Sequence, residues 1–266
     1  MSRRKREQIE MRYYELPQNE FVLPLLGEPW RRVYFSAPED LHIHNLLEVG
    51  VCHEGSGRID LEDGESSQYQ AGFFTLFPRH FPHTTNGDGD GVNFWEYLFI
   101  DVEHFLETSY PDNQRFSQEL ASLINKRCQV QPTAEHPVLS EAIQALFREV
   151  RDPQSFSQEV IRALTLRLLL EIARLNLQGD APVNLPQKRR REILKSLEYI
   201  DRHSAEAIKI QDLAELCHLS ETHFRRLFEE VMHMVPADYI NFIRIQKACE
   251  LINRSGQTIE QIATLV

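Results

Sequence analysis

The chain has 266 residues, 42% hydrophobic and 26% charged, with a formal net charge of −11 at pH 7. That length accommodates two domains, the composition is that of an ordinary globular protein, and no apolar run approaches the roughly 18–20 residues that span a bilayer. The charged N-terminus MSRRKREQIE has no apolar signal core. Cys52, Cys128, Cys217 and Cys249 are scattered without a CxxC pair, which argues for reduced thiols in a cytoplasmic protein and against a disulfide frame or a cysteine zinc site.

In chain order, the basic run at residues 3–6 reads as a disordered tail, with non-specific phosphate attraction the alternative. Residues 1–26, with Pro17 and Pro24, read as an arm. From residue 30 to 101, apolar residues come in short runs broken by glycine and proline, the pattern of strands and turns. Residues 58–63 (RIDLED) alternate with Ile59 and Leu61 on one face, and Ala71 and Gly72 break the pattern before the apolar run 73–77. A turn is predicted at 86–91 (NGDGDG), followed by a strand over 92–101. Residues 27–112 are therefore expected to form a β-barrel or sandwich.

Residues 41–57 (LHIHNLLEVGVCHEGSG) put His42, His44 and Glu48 at one parity, so an unbroken strand would project all three to one side. Gly72, Pro78 and His83 follow. Three histidines and a carboxylate suit Fe, Mn, Ni or Zn; they also suit the wall of a polar pocket, or plain packing. On the late strand, Trp95, Glu96 and Tyr97 offer a stacking surface and a polar handle for a ligand, while alternate members of that strand also read as core.

Beyond residue 113 the period turns helical. Residues 138–150 carry Ile143, Leu146, Phe147 and Val150 at helical spacing. Residues 158–177 carry Ile161, Leu164, Leu168, Ile172 and Leu175 on one stripe, with Leu166, Leu169, Leu170 and Ala173 beside it. So wide an apolar face suits packing on the barrel and on a second subunit, or burial within one domain. Residues 113–178 are assigned to a helical dimerisation segment and 179–187 (GDAPVNLPQ) to a linker.

Residues 188–266 hold 12 basic and 12 acidic residues, so the whole acidic excess lies before them. Such a neutral module still binds DNA when its cations share one face. Ile193, Leu194, Leu197 and Ile200 mark a support helix, and residues 211–218 a second helix with Leu213, Ala214 and Cys217 inward. Ser220 is a favourable N-cap, with Leu219 and Phe224 at hydrophobic-staple spacing. The next helix buries Leu227, Phe228 and Val231 and leaves Thr222, Arg225, Arg226 and Glu229 on the opposite face. In a helix-turn-helix, side chains placed so reach base edges in the major groove, and arginine pairs with guanine.

This pattern resembles the AraC/XylS transcription regulators, through Ile210, Leu213, Ala214, Leu219, Ser220, residues 224–228 (FRRLF), Pro236, Tyr239, Ile240, Arg244, Ile245, Ala248, Leu251, Ile252, Ile259, Ile262 and Ala263. The resemblance implies two helix-turn-helix motifs joined by a linker helix at 236–253. Within the first motif, Thr222, Arg225 and Arg226 take base-contacting positions, flanked by Ser220 and His223. His233 stands where the family often has glycine. The second motif, from Thr258, reaches Val266 before its recognition helix, which predicts a chain truncated within it.

The first domain resembles the cupin barrel from His42 to Gly55, with Ser36 where a leading glycine is usual and His80 at a second such position. In regulators of this type such histidines line a small-molecule pocket, commonly for a sugar, and an N-terminal arm can fold over it. The expected fold is α+β: a cupin-like β-barrel with following helices, then an all-α helix-turn-helix DNA-binding domain. The expected function is transcription regulation by a non-enzymatic homodimer with no cofactor or membrane partner. Its partners are double-stranded operator DNA and an effector, held by His42, His44, Glu48, His83, Trp95 and Tyr97. The alternative is a metal-dependent cupin enzyme, with His42, His44, Glu48 and His83 as ligands and an accessory helical domain.

Overall fold

The structure is a computed structural model that describes residues 10–17, 20–34, 41–61, 65–89, 91–178, 185–232, 234–254 and 257–266. Residues 3–6, Ser36 and His233 lie outside the described residues. The chain forms two compact units, Met1–Asp180 and Ala181–Val266.

In the first unit, β1 (Glu10–Arg12), β4 (His42–His44), β9 (His83–Gly87), β6 (Ser56–Leu61) and β7 (Ser66–Gln70) form one sheet in that order. The second sheet runs β11 (Gln129–Pro132), β8 (Phe73–Phe77), β5 (Leu47–Glu54), β10 (Val92–Ile100), β2 (Val22–Leu25), with β3 (Arg31–Val33) also on β10. Ile59, Leu61 and Tyr69 from the first sheet meet Cys52, Phe77, Trp95, Tyr97 and Phe99 from the second in one core. The other face of the second sheet packs Val49, Val51, Phe74, Leu76, Leu98 and Ile100 against helices. A sheet buried on both faces reads as a near-continuous apolar run, which explains the mostly apolar stretches at 73–77 and 92–100.

Those helices are α1 (Val102–Ser109), α2 (Gln114–Ile124), α3 (Pro137–Arg151) and α4 (Ser157–Gln178). On α4, Leu168, Leu169, Ile172 and Ala173 are buried, and Ile161, Leu164, Leu166, Leu170 and Leu175 pack half-buried on the same core. Asn176, also buried on α4, donates to the carbonyls of Leu123 and Ile124 at 2.9 and 3.2 Å, satisfying the end of α2.

Four sequence expectations are corrected. First, His42, His44 and Glu48 do not share a strand: the chain bends at Asn45 and Leu46, so β4 and β5 belong to different sheets. Second, β11 lies inside the segment expected to be wholly helical, where it pairs antiparallel with β8, while α1 lies inside the expected barrel range. Third, Asn86 and Gly87, expected in a turn, belong to β9 and pair with Arg58 and Gly57. Fourth, residues 185–187, expected in the linker, open the helix α5 (Leu185–His203), with Pro186 in its first turn, where a missing N–H costs nothing.

The second unit continues with α6 (Ile210–Leu216), α7 (Glu221–Met232), α8 (Pro236–Arg254) and α9 (Ile259–Ala263). Its core joins Ile193, Leu197 and Ile200 of α5, Leu213 and Ala214 of α6, Phe224, Leu227, Phe228 and Val231 of α7, and Tyr239, Ile240 and Ile243 of α8. After α6, His218 takes a left-handed conformation (φ 57°) and Leu219 N–H bonds to Ala214 O at 2.9 Å, which closes the helix. Ser220 Oγ then accepts from His223 N–H at 3.3 Å, as an N-cap does. Thr258 and Gln261 form a capping box at α9. Among the described residues, no helix is long and apolar enough to cross a membrane.

Gly57 and Gly87 face each other across β6 and β9. A Cβ on Gly57 would lie 2.1 Å from Asn86 O and 2.9 Å from Gly87 Cα, both backbone atoms that cannot swing aside. Gly57→Ala is therefore expected to lower stability by about 1–3 kcal/mol through overpacking, read as a lower midpoint in urea unfolding followed by circular dichroism.

Candidate functional sites

The first unit opens into a cleft enclosing about 420 Å³ of space, part of it open to solvent. Of the expected ligand residues, His42, Glu48, His83 and Tyr97 line it; His44 and Trp95 are not among its lining residues. His44 lies fully buried behind Glu48. Trp95 stacks behind Tyr97, with ring centroids 5.9 Å apart and planes 9° apart, and meets Tyr69 edge-on. Glu96 faces the opposite way, because successive residues of a strand alternate sides. Its carboxylate accepts from Gly27 N–H at 2.9 Å and pairs with His53 at 2.8 Å and with Arg151 at the end of α3. It is no handle for a ligand in the cleft.

At the floor, the bend after β4 brings His44 Nε2 to 3.2 Å from Glu48 Oε2, and His83 Nε2 arrives from β9 at 3.6 Å. His44 Nδ1 lies 2.8 Å from Leu46 O, and His83 Nδ1 2.8 Å from Phe81 O. A carbonyl can only accept, so each Nδ1 donates outward, which leaves each Nε2 facing the carboxylate. Burial pushes the Glu48 pKa up, but hydrogen bonds and charge from His44 and His83 outweigh it and hold the group well below the usual carboxylate range. Burial lowers the pKa of His83, offset in part by Glu48, and lowers that of His42 well below its usual value, with His83 adding to the effect. His42 Nδ1 is buried without a hydrogen-bond partner. The floor thus gathers one carboxylate and three imidazole rings at close range.

His42, Glu48 and His83 each offer a ligand atom within 4.8 Å of the others. With the Phe81 carbonyl orienting His83, this donor set fits a borderline transition metal.

Sequence reasoning missed much of the wall. Tyr14, Trp30, Arg32, Tyr34 and Arg12 also line the cleft. The arm is pinned there: β1 pairs in parallel with β4, Tyr14 N–H bonds to Asn45 Oδ1 at 2.9 Å, and Asn45 Nδ2 returns a bond to Tyr14 O at 3.0 Å. The Tyr14 ring stacks on Phe99 at 3.9 Å, and burial together with the nearby Glu48 charge pushes its hydroxyl pKa up to about 12. Trp30, Arg32 and Tyr34 alternate along the chain, a legible signal of one face. The Arg32 guanidinium lies over both rings, 5.2 and 4.8 Å from their centroids.

In the second unit, α7 buries Phe224, Leu227 and Phe228, and exposes Thr222, His223, Arg225 and Arg226. Ser220 is exposed at its head and Glu229 half-buried. Arg225 lies 2.7 Å from Glu221, and Arg226 lies 3.8 Å from Glu230.

Comparison with known proteins accounts for both units. Residues 34–170 match the family described as AraC-like ligand binding domain, and residues 213–266 match a helix-turn-helix domain. The raffinose operon transcriptional regulatory protein RafR of Pediococcus pentosaceus is 21% identical over 228 residues, 84% of this chain and 78% of that protein. The HTH-type transcriptional regulator MtrA of Neisseria gonorrhoeae is 25% identical over 263 residues, 91% of this chain and 83% of that protein. Among solved structures, apo ToxT of Vibrio cholerae is 13% identical with a TM-score of 0.38, covering 86% of this chain and 100% of that one. The chain belongs to the AraC family of transcription regulators, with an AraC-like ligand-binding domain followed by a helix-turn-helix DNA-binding domain.

Proposed function

We propose that this regulator binds a sugar in the barrel cleft and reads operator DNA with Thr222, Arg225 and Arg226 of α7, flanked by Ser220 and His223. The observation that carries the effector reading is the floor of the cleft. The Glu48 carboxylate, His83 and the unpartnered His42 Nδ1 present polar groups that the hydroxyls of a polyhydroxy ligand satisfy, beside the aromatic faces of Trp30 and Tyr97. RafR, by its name a raffinose operon regulator, lends the sugar reading further support. The protein acts in the cytoplasm as a homodimer joined through residues 113–178. The effector works by binding one arrangement of the two DNA-binding units more tightly than the other.

The rival reading, a metal-dependent enzyme, has the His42–Glu48–His83 cluster in its favour. A metal held there would supply Lewis-acid chemistry. That reading requires stoichiometric metal in protein purified without an affinity metal, and elemental analysis decides it.

The direct test of the effector is titration with a panel of mono- and disaccharides, followed through tryptophan emission. The chain has two tryptophans, Trp30 on the cleft wall and Trp95 behind it. A saturable change that Trp30→Phe removes supports the reading, and a panel with no saturable change refutes it.

Glu48→Ala leaves the nitrogens of His44 and His83 facing a void and is expected to cost about 1–3 kcal/mol of stability. Glu48→Gln keeps the volume and a hydrogen-bonding head group beside the same nitrogens and is expected to cost less; equal losses in urea unfolding would contradict that role. For DNA, Arg225→Ala is expected to weaken binding to a selected operator by about 1–3 kcal/mol, mostly at one base position. Gel shifts on single-base variants measure it.

A further inference from the structure

Glu221 is the first residue of α7, and its Oε1 accepts from Arg225 Nε at 2.8 Å while lying 2.7 Å from Arg225 Nη2. A single carboxylate oxygen therefore holds the side edge of the guanidinium from one helical turn away. Arginine offers two planar pairs of donors, the Nε–Nη2 side and the Nη1–Nη2 end. With the side engaged, the end is the pair left for the N7 and O6 acceptors of guanine. The neighbouring arginine is held differently: Arg226 approaches Glu230, toward the helix C-terminus, at 3.8 Å, beyond hydrogen-bond length.

An ion pair whose side chains are 49% and 43% exposed contributes little to stability. Its consequence lies in geometry and in charge. The carboxylate restricts the rotamers of a long side chain before DNA arrives, which lowers the ordering cost of a two-donor contact. It also sits on the face that would approach phosphates, where a negative charge opposes binding to any sequence. Resting on the reading of α7 as the base-reading helix, we propose that Glu221 is a positioning residue for specificity: it presents the end of Arg225 to one guanine and weakens attachment to DNA lacking it.

The test uses the full chain and duplexes that it selects from a random library. Affinities are measured for the selected duplex, for one with the guanine assigned to Arg225 replaced, and for a random duplex, at several salt concentrations. The wild-type chain is expected to discriminate against the replaced base about five- to a hundredfold. In Glu221→Gln that ratio should fall about two- to fivefold, the scale of a surface ion pair, while the random duplex binds more tightly. Glu221→Asp keeps the charge on the first turn but is one methylene short, so it should lose discrimination without gaining affinity for random DNA. Circular dichroism verifies that both variants retain the helices. Wild-type discrimination in both variants would overturn the proposal and leave the α7 reading intact. Discrimination lost in Gln but kept in Asp would also overturn it, because charge and not reach would then be acting. If the wild type selects no sequence, or Arg225→Ala keeps its preference, the α7 reading itself fails.

Discussion

Strand β10 is buried on both sides, and that constraint organises the first unit. Alternation sends Trp95, Tyr97 and Phe99 into the barrel core, and Leu98 and Ile100 into the core shared with the helices. Glu96 falls on the helical side and is buried there, where an unpaired carboxylate would be costly. Its partners come from three places: the Gly27 backbone, His53 at the end of β5, and Arg151 in the last turn of α3. Three residues after Gly27, Trp30 packs edge-on to Tyr97 in the cleft wall. One strand therefore carries a wall of the cleft on one face and the seat of α3 on the other. An interior packed so closely does not let one face move without the other.

The polar floor of the cleft follows from a second constraint, the bend after β4. A continuous strand would have put His42, His44 and Glu48 in a row. The bend instead passes the chain from one sheet to the other, so His44 and Glu48 meet across a corner, with His83 completing the group from β9. Carbonyls of Leu46 and Phe81 occupy the outer nitrogens, which turns the remaining donor and acceptor capacity inward. Polar atoms buried in this way are costly unless something completes them. The N-terminal segment adds Tyr14 to the wall, its backbone fixed to Asn45 by reciprocal bonds.

Much of this was legible in the sequence, for reasons that also explain the rest. The helices of the second unit announce themselves through a 3.6-residue period and through local capping chemistry, as at Ser220 and Thr258, so the limits of α6 to α9 fall close to expectation, while α5 begins inside the expected linker. His42, Glu48 and His83 were visible as residue types that are rarely buried without a role. What escaped depends on contacts distant in sequence. The bend at Asn45 and Leu46 has no glycine or proline to mark it. The pairing of β11 with β8 joins residues more than fifty positions apart and leaves only a four-residue strand among helices. Glu96 was misplaced for a different reason: it stands between two aromatic residues that do face the cleft, and adjacency along a strand means opposite faces.

Charge sets the terms for the second unit. The whole net charge of −11 lies before residue 188, so the protein as a whole repels a polyanion. At physiological salt that repulsion is screened beyond about 8 Å, and the helix-turn-helix unit carries no net charge of its own to steer it. Contacts made at short range, and rigidly, must then supply most of the grip. The seating of α7 is suited to that demand: Phe224 and Phe228 are fully buried and Leu227 nearly so, fixing the rotation of the helix about its axis. A few degrees of freedom there would sweep Arg225 and Arg226 across several base edges. On the proposed reading of α7, a close-packed aromatic face on one side would make the two arginines on the other side selective instead of merely adhesive.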